Sequence, residues 1–287
     1  MYMRVVVPAA LAVALVVPAG QSQRAIIVTV LDQTGAPVKN VAPADLSVVE
    51  DGATREVVDV KPATDPMTIA ILVDNTKPQQ GKNAPTQEIR AALTSFVKIV
   101  QSASPESQIG LWEFAGAGIM TQKPTVKMED VTKKISRHFP GQQPGGVLLE
   151  ALTDASKELS KKGVGPRRII LSLSLSSPEV STGDPRDVAM AMQKAGVNFW
   201  AVSVETGGGA TPSRELILDN VTAASGGLRI NVVTPIALEA QVKSIAEAIT
   251  SQYLVTYTRP ADAPAKVTDV RAVSKKGMKA LTAPWMQ

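Results

Sequence analysis

Cysteine is absent from all 287 residues, which removes disulfides, thiolate nucleophiles, lipid attachment through a thiol and sulfur-built zinc sites together. Histidine occurs once, at His138, so a site with several imidazole ligands is excluded by counting. Aromatic residues make up 3% of the chain, too few for the stacking platforms on which bases or sugars rest. Neither sign of charge dominates: 30 Lys and Arg face 26 Asp and Glu, a formal balance of +4, with no long basic run. Nucleic acid is therefore not an expected partner. What the chain has in quantity is apolar surface to bury. Hydrophobic residues reach 44%, enough for one sizeable core and a smaller one without disulfide support.

The longest uncharged run is N-terminal. Arg4 precedes Val5 to Ala19, and small residues follow at Ala19, Gly20 and Ser22. The run falls short of the roughly 20 residues a helical span needs and has the make-up of a secretory leader. Cleavage is expected between Ala19 and Gln23, with an uncleaved anchor as the alternative. The first reading predicts an extracytoplasmic chain, periplasmic or secreted, with no stable membrane span after cleavage.

Beyond the leader (1–23), the segment 24–62 reads as strands and turns. In "VVEDGATREVV", Asp51-Gly52 between two β-prone runs predicts a hairpin. From 63 to 251 strands alternate with helices. "TIAILV", "RRIILSLSL" and "VNFWAVSV" are near-continuous apolar runs of the kind shown by strands buried on both faces, and "SQIGLWEFAG" and "GLRINVV" supply two more. Between them Ile89, Leu93, Phe96, Val97 and Val100, then Leu148, Leu152, Ala155 and Leu159, then Leu238, Val242, Ile245 and Ile249 recur at helical spacing. Asp184 before Pro185 predicts a capped helix start. The segment 252–287 returns to β character and is expected to pair with the N-terminal strands. The expected fold is α/β: a doubly wound, mostly parallel sheet plus a small β unit formed by the two terminal segments.

Catalytic chemistry finds little purchase. His138, in "KKISRHFPG", is expected to be a solvated helix-end histidine, and no Gly-x-Ser-x-Gly elbow accompanies it. Glu113 lies near Asp74 by strand position but is expected to face solvent. Gly207 to Gly209 lack the ending of a phosphate-binding loop and predict a flexible turn. The Lys pairs at 133–134, 161–162 and 275–276 are expected to be solvated faces. The chain is expected not to be an enzyme; an envelope hydrolase using Glu113 is the remote alternative.

Three stretches carry a family likeness: "VTVLDQTGAPVKNVAPADLSVVEDGATREVVDV", then "TIAILVDNT", and near the end "AITSQYLVTYTRP". Together they resemble the von Willebrand factor type A fold, and more narrowly the VWFA-related proteins of acidobacterial type. The resemblance implies a metal-ion-dependent adhesion site at the carboxyl end of the sheet, built from Asp-x-Ser-x-Ser, a threonine from a second loop and an aspartate from a third. Mg²⁺ asks for about six oxygens in octahedral array. Here the first motif aligns as Asp74, Thr76 and Pro78, the second loop as Gly145, Gly146 and Val147, and the third position as Leu175 between Ser174 and Ser176, with no carboxylate before Glu179.

Two readings follow. In the first, the site is degenerate, no cofactor is needed, and the upper face binds a protein or cell-surface ligand. That face comprises Asp74, Asn75 and Thr76 with Gly145 to Val147 and Leu175 to Ser177; the candidate contacts are Asp74, Asn75, Thr76, Gly145, Gly146, Ser174 and Ser176. In the second, Asp74 and Thr76 hold a weak Mg²⁺ completed by waters and a partner carboxylate. The plainest expectation for Asp74 and Thr76 is that they hydrogen-bond neighbouring backbone.

Overall fold

The computed structural model describes residues 20–78, 84–204, 211–263, 269–274 and 277–284, and every structural statement below concerns these. The expected leader up to Ala19, the Gly207 to Gly209 turn and the Lys275-Lys276 pair lie outside them.

The α/β body is organised by β5 (Met67–Val73), in which every residue is buried. Parallel neighbours flank it: β6 (Gln108–Glu113) on one side and β8 (Arg167–Ser174) on the other, with β9 (Val197–Val204) and β10 (Arg229–Val232) beyond β8. Only β7 (Ile119–Thr125), beside β6, runs antiparallel, giving the order β10-β9-β8-β5-β6-β7. Side chains of a strand alternate between faces, so Ile69, Ile71 and Val73 face one helical layer and Ala70 and Leu72 the other. The first layer holds α1 (Thr86–Ala103), α2 (Met128–Ser136) and α7 (Leu238–Thr250), which contribute Phe96, Val131 and Ile245. The second holds α3 (Leu148–Leu159), α4 (Pro185–Ala195), α5 (Pro212–Leu216) and α6 (Thr222–Ala224), with a π-helical turn at Ile217–Val221. As its sequence predicts, α4 starts on Asp184, whose carboxylate accepts the Arg186 N–H at 2.8 Å, and stops at left-handed Gly196.

The β unit interleaves early and late strands. β1 (Gln21–Leu31) lies antiparallel between β11 (Tyr253–Pro260) and β13 (Lys279–Ala283), and β4 (Val57–Pro62) flanks β11. A second sheet has β2 (Leu46–Glu50) between β12 (Val270–Ser274) and β3 (Ala53–Arg55), with the β2–β3 turn on Asp51 and Gly52, both at positive φ. Ile26, Val28, Val48, Val255 and Tyr257 fill the space between the sheets. The Thr282 hydroxyl accepts the Ala272 N–H at 2.7 Å, and the Glu56 carbonyl accepts the Thr258 N–H at 3.0 Å. The Ala272 bond links β12 of one sheet to β13 of the other, and the Thr258 bond extends the β4–β11 ladder. Pairing begins at Gln21, opposite Pro260, so the first strand starts inside the segment assigned to the leader.

The two bodies meet through a buried polar knot. Arg167, 2% exposed, donates to the carbonyls of Ala63 (2.8 Å), Asp65 (2.7 Å) and Ile249 (2.8 Å) and to Gln252 Oε1 (3.0 Å). Gln252 in turn donates to Thr29 Oγ1 and Asn198 Oδ1. Close approach adds to the joint: a Cβ on Gly226 would stand 1.9 Å from the Thr282 carbonyl oxygen of β13. Among the described residues no helix is long and apolar enough to cross a membrane.

Candidate functional site

β5 runs out at Val73, and the Asp74 N–H still reaches the Leu173 carbonyl of β8 at 2.9 Å. The Asp74 carboxylate then sits at the carboxyl end of the sheet, where open α/β folds collect their ligands, yet it is 0% exposed. Its Oδ1 accepts the Thr76 N–H (3.0 Å) and the Thr76 hydroxyl (2.6 Å). Its Oδ2 accepts the Leu175 N–H (2.9 Å) and the Ser177 hydroxyl (2.8 Å). An ionised carboxylate offers about four lone-pair positions, and four protein donors take them. Asp74 therefore ties the β5 exit to the β8 exit.

The glycine loop crosses the same end of the sheet. Gly141 N–H donates to the Asn75 carbonyl, Lys77 N–H to Gln143, Gly116 N–H to Gly145, and Val147 N–H to Phe114. Gly146 exchanges bonds with the third loop, donating to the Pro178 carbonyl and accepting the Val180 N–H, each at 2.8 Å. The fit is close here: a Cβ on Gly145 would stand 2.5 Å from Val180 Cγ1, so a larger residue would have to displace that side chain. Val147 turns inward beside Leu148 and Phe114 in the second core.

This geometry corrects the expected roster of contact residues. Asp74, Thr76, Gly145, Gly146 and Ser174 are buried beneath the upper face, since their groups are consumed by loop-to-loop bonds or strand packing. The Ser174 hydroxyl is buried without a hydrogen-bond partner. Asn75 and Ser176 are half-buried, and the Ser176 hydroxyl donates to the Val204 carbonyl at 2.7 Å. Leu175 offers the site only its backbone.

His138 also departs from expectation. It is 5% exposed, not solvated, and its Nδ1 lies 2.8 Å from Glu113 Oε1. Glu113, expected to face water, accepts the Asn75 side-chain N–H on Oε2 at 3.2 Å, while Asn75 Oδ1 accepts the Ala115 N–H at 2.8 Å. Arg90 of α1 donates from Nε and Nη2 to the His138 carbonyl at 3.1 and 2.7 Å, tying the segment after α2 to α1. The chain of contacts joins the β5 exit to the helix layer.

Two further charged groups shape the site without a sequence signal. Buried Arg214 donates from Nη1 to the Ser177 carbonyl at 2.9 Å and from Nη2 to that of Leu175, so a guanidinium faces the third loop. Glu179 Oε1 caps α3 by accepting the Leu148 N–H at 2.9 Å and also accepts the Ser181 hydroxyl, while its Oε2 is buried without a partner. Burial raises the Glu179 pKa above its ordinary 4.5, opposed by the Ser181 hydroxyl and the Arg214 charge. The unfolded chain then ionises first as pH rises, so this residue's contribution to stability falls from pH 4.5 upward through the raised folded value. Glu179→Gln, which keeps the accepting oxygen, is expected to flatten that decline in urea unfolding at about pH 4.5 and about pH 7.5. Parallel pH slopes for both proteins would remove Glu179 as its source.

No protein-family model and no curated protein sequence matches the chain. Solved structures do share its fold. A von Willebrand factor type A protein from Catenulispora acidiphila is 10% identical, aligns over 93% of this chain and 75% of its own, and has a TM-score of 0.51. Proximal thread matrix protein 1 from the mussel byssus, solved with zinc in its MIDAS motif, is 18% identical over 70% of this chain with a TM-score of 0.51. This chain spans 49% of that protein's length. BatB from Bacteroides thetaiotaomicron is 16% identical over 64% of this chain and 100% of its own, with a TM-score of 0.48.

Proposed function

From the von Willebrand factor type A fold that this chain has, we propose an exported, non-catalytic interaction module whose upper face engages a protein or cell-surface ligand without a resident metal. The observation that carries the proposal is the saturated Asp74 carboxylate. Mg²⁺ would have to displace protein donors already held at hydrogen-bond distance, and the remaining oxygens are few. Val147 and Leu175 stand where a hydroxyl and a carboxylate would be needed, and the carbonyls of Leu175 and Ser177 are taken by the Arg214 cation. The donor set does not fit a divalent ion. The non-catalytic reading draws on His138, whose imidazole is buried against Glu113 and poorly placed to meet a substrate. Export draws on the Val5 to Ala19 run alone.

The test is thermal unfolding of the purified chain in millimolar Mg²⁺ or Mn²⁺ and in chelator, beside Thr76→Val. An ion at a hundredfold excess over its Kd would add about 2.7 kcal/mol to the native state, a shift of several degrees. No shift is expected in either protein. An ion-dependent rise that disappears in Thr76→Val would overturn the metal-free reading in favour of a cation-dependent adhesion module.

A further inference from the structure

We propose that the partner-recognition surface is the corner of the upper face built by Phe139, Arg90 and the residues around the end of α2, and that it takes an acidic peptide segment carrying a large apolar side chain. The inference rests on the interaction-module reading and names the chemistry of its partner.

The first observation is an exposed aromatic ring held still. Phe139 is 63% exposed in a chain with four phenylalanines, so leaving one in water needs a reason. The ring is braced: the Arg90 guanidinium lies over it, 4.3 Å from its centroid. Arg90 is itself fixed by two hydrogen bonds to the His138 carbonyl, and His138 is pinned to Glu113. A side chain already ordered before binding loses little entropy when a partner covers it. Arginine is also enriched among the residues that dominate binding energy, and phenylalanine in the composition of interfaces.

The second observation is charge. Lys133, Lys134 and Arg137, which closely precede Phe139 in sequence, are exposed, and none forms an ion pair among the described residues. The acids of α2, Glu129 and Asp130, lie in its first turn, at the other end of the helix. Lysines in a last helical turn answer the helix dipole, which accounts for Lys133 and Lys134 but not for Arg137 beyond the helix or for the ring. Lys77 adds a further exposed cation across Asn75, to which the loop after Phe139 is bonded through Gly141. The corner is thus continuous with the end of the sheet and positive where a partner would approach. An anionic lipid surface would call for a broad apolar stripe. One ring among cations suits a single apolar side chain flanked by carboxylates.

The test is fluorescence anisotropy of the full chain with a labelled Glu-Asp-Pro-Phe-Glu-Asp peptide. Controls are its Gln-Asn-Pro-Phe-Gln-Asn analogue, the analogue with alanine for phenylalanine, and vesicles of 30% phosphatidylglycerol in phosphatidylcholine. The acidic peptide is expected to bind, to weaken as salt rises, and to weaken about tenfold or more with Phe139→Ala and, separately, with Arg137→Glu. Both side chains are solvent-exposed, and Arg137→Glu keeps the test decisive should Phe139→Ala unsettle its loop. Peptide binding that survives both variants would overturn this surface and leave the interaction-module reading standing. Vesicle binding lost in the same variants, without peptide binding, would overturn the peptide assignment. Absence of binding to every probe overturns the inference, whereas the metal-free reading falls only on the ion-dependent stability described above.

Discussion

Asp74→Ala is expected to lower the unfolding free energy by about 3–5 kcal/mol, read as a fall in the urea midpoint at unchanged slope. The substitution leaves two backbone N–H groups, those of Thr76 and Leu175, and two hydroxyls, those of Thr76 and Ser177, without their acceptor. Each buried orphan donor costs about 1–3 kcal/mol. Hydroxyls can rotate toward other acceptors and a water can enter the vacated space, so the total stays below the sum of four. Asp74→Asn preserves the shape but presents an NH₂ to donors, and is expected to cost about 2–4 kcal/mol. The result separates two roles for one residue. A carboxylate kept chiefly to hold an ion would cost less than about 1 kcal/mol to remove in chelator, as most substitutions away from buried networks do. Near-wild-type stability of Asp74→Ala in chelator would therefore refute the staple described here.

Arg167→Met is expected to destabilise by about 3–5 kcal/mol and to do so unevenly. The guanidinium serves three carbonyls and one amide oxygen drawn from the linker, the end of α7 and the start of β11. Burial pulls its pKa down to about 10, which still leaves it charged at neutral pH. A methionine of similar length fills space and satisfies none of those oxygens. Hydrogen exchange is expected to show the loss first in β1 and β11, with β5 and β8 retaining protection. Arg167→Lys is not expected to rescue, because one ammonium cannot reproduce a planar fork addressed to four acceptors. Uniform loss of protection across both bodies would show that Arg167 does not act at their joint.

How much of this was legible in the sequence depends on how local each feature is. The buried strands announced themselves because burial on both faces requires unbroken apolar runs such as Met67–Val73. The β2–β3 turn was legible from Asp51-Gly52, and the start of α4 from Asp184-Pro185, since both are fixed by a few adjacent residues. The position of Asp74 was legible too, along with the backbone bonds that short polar side chains make after a strand. The fate of His138 was not. Its partners Glu113 and Arg90 lie 25 and 48 residues away, and nothing beside His138 encodes them. Arg214 was invisible for the same reason: its partners, Leu175 and Ser177, lie 39 and 37 residues earlier. Chemistry written in neighbours could be read, and chemistry assembled by the fold could not.

The interleaving of β1 with β11 and β13 sets an order in time. During synthesis β1 and β2 are made first, but β1 must wait more than 220 residues for β11, and β2 a comparable span for β12. Contacts so distant along the chain form late, because closing the intervening loop costs entropy before any pairing repays it. The α/β body between them can collapse while the first strands still expose unpaired edges to the surroundings. A nascent chain halted before Tyr253 would carry a folded body with sticky, unfinished strands. Gln21–Leu31, made first and paired last, is therefore the strand whose edges stay open longest during synthesis.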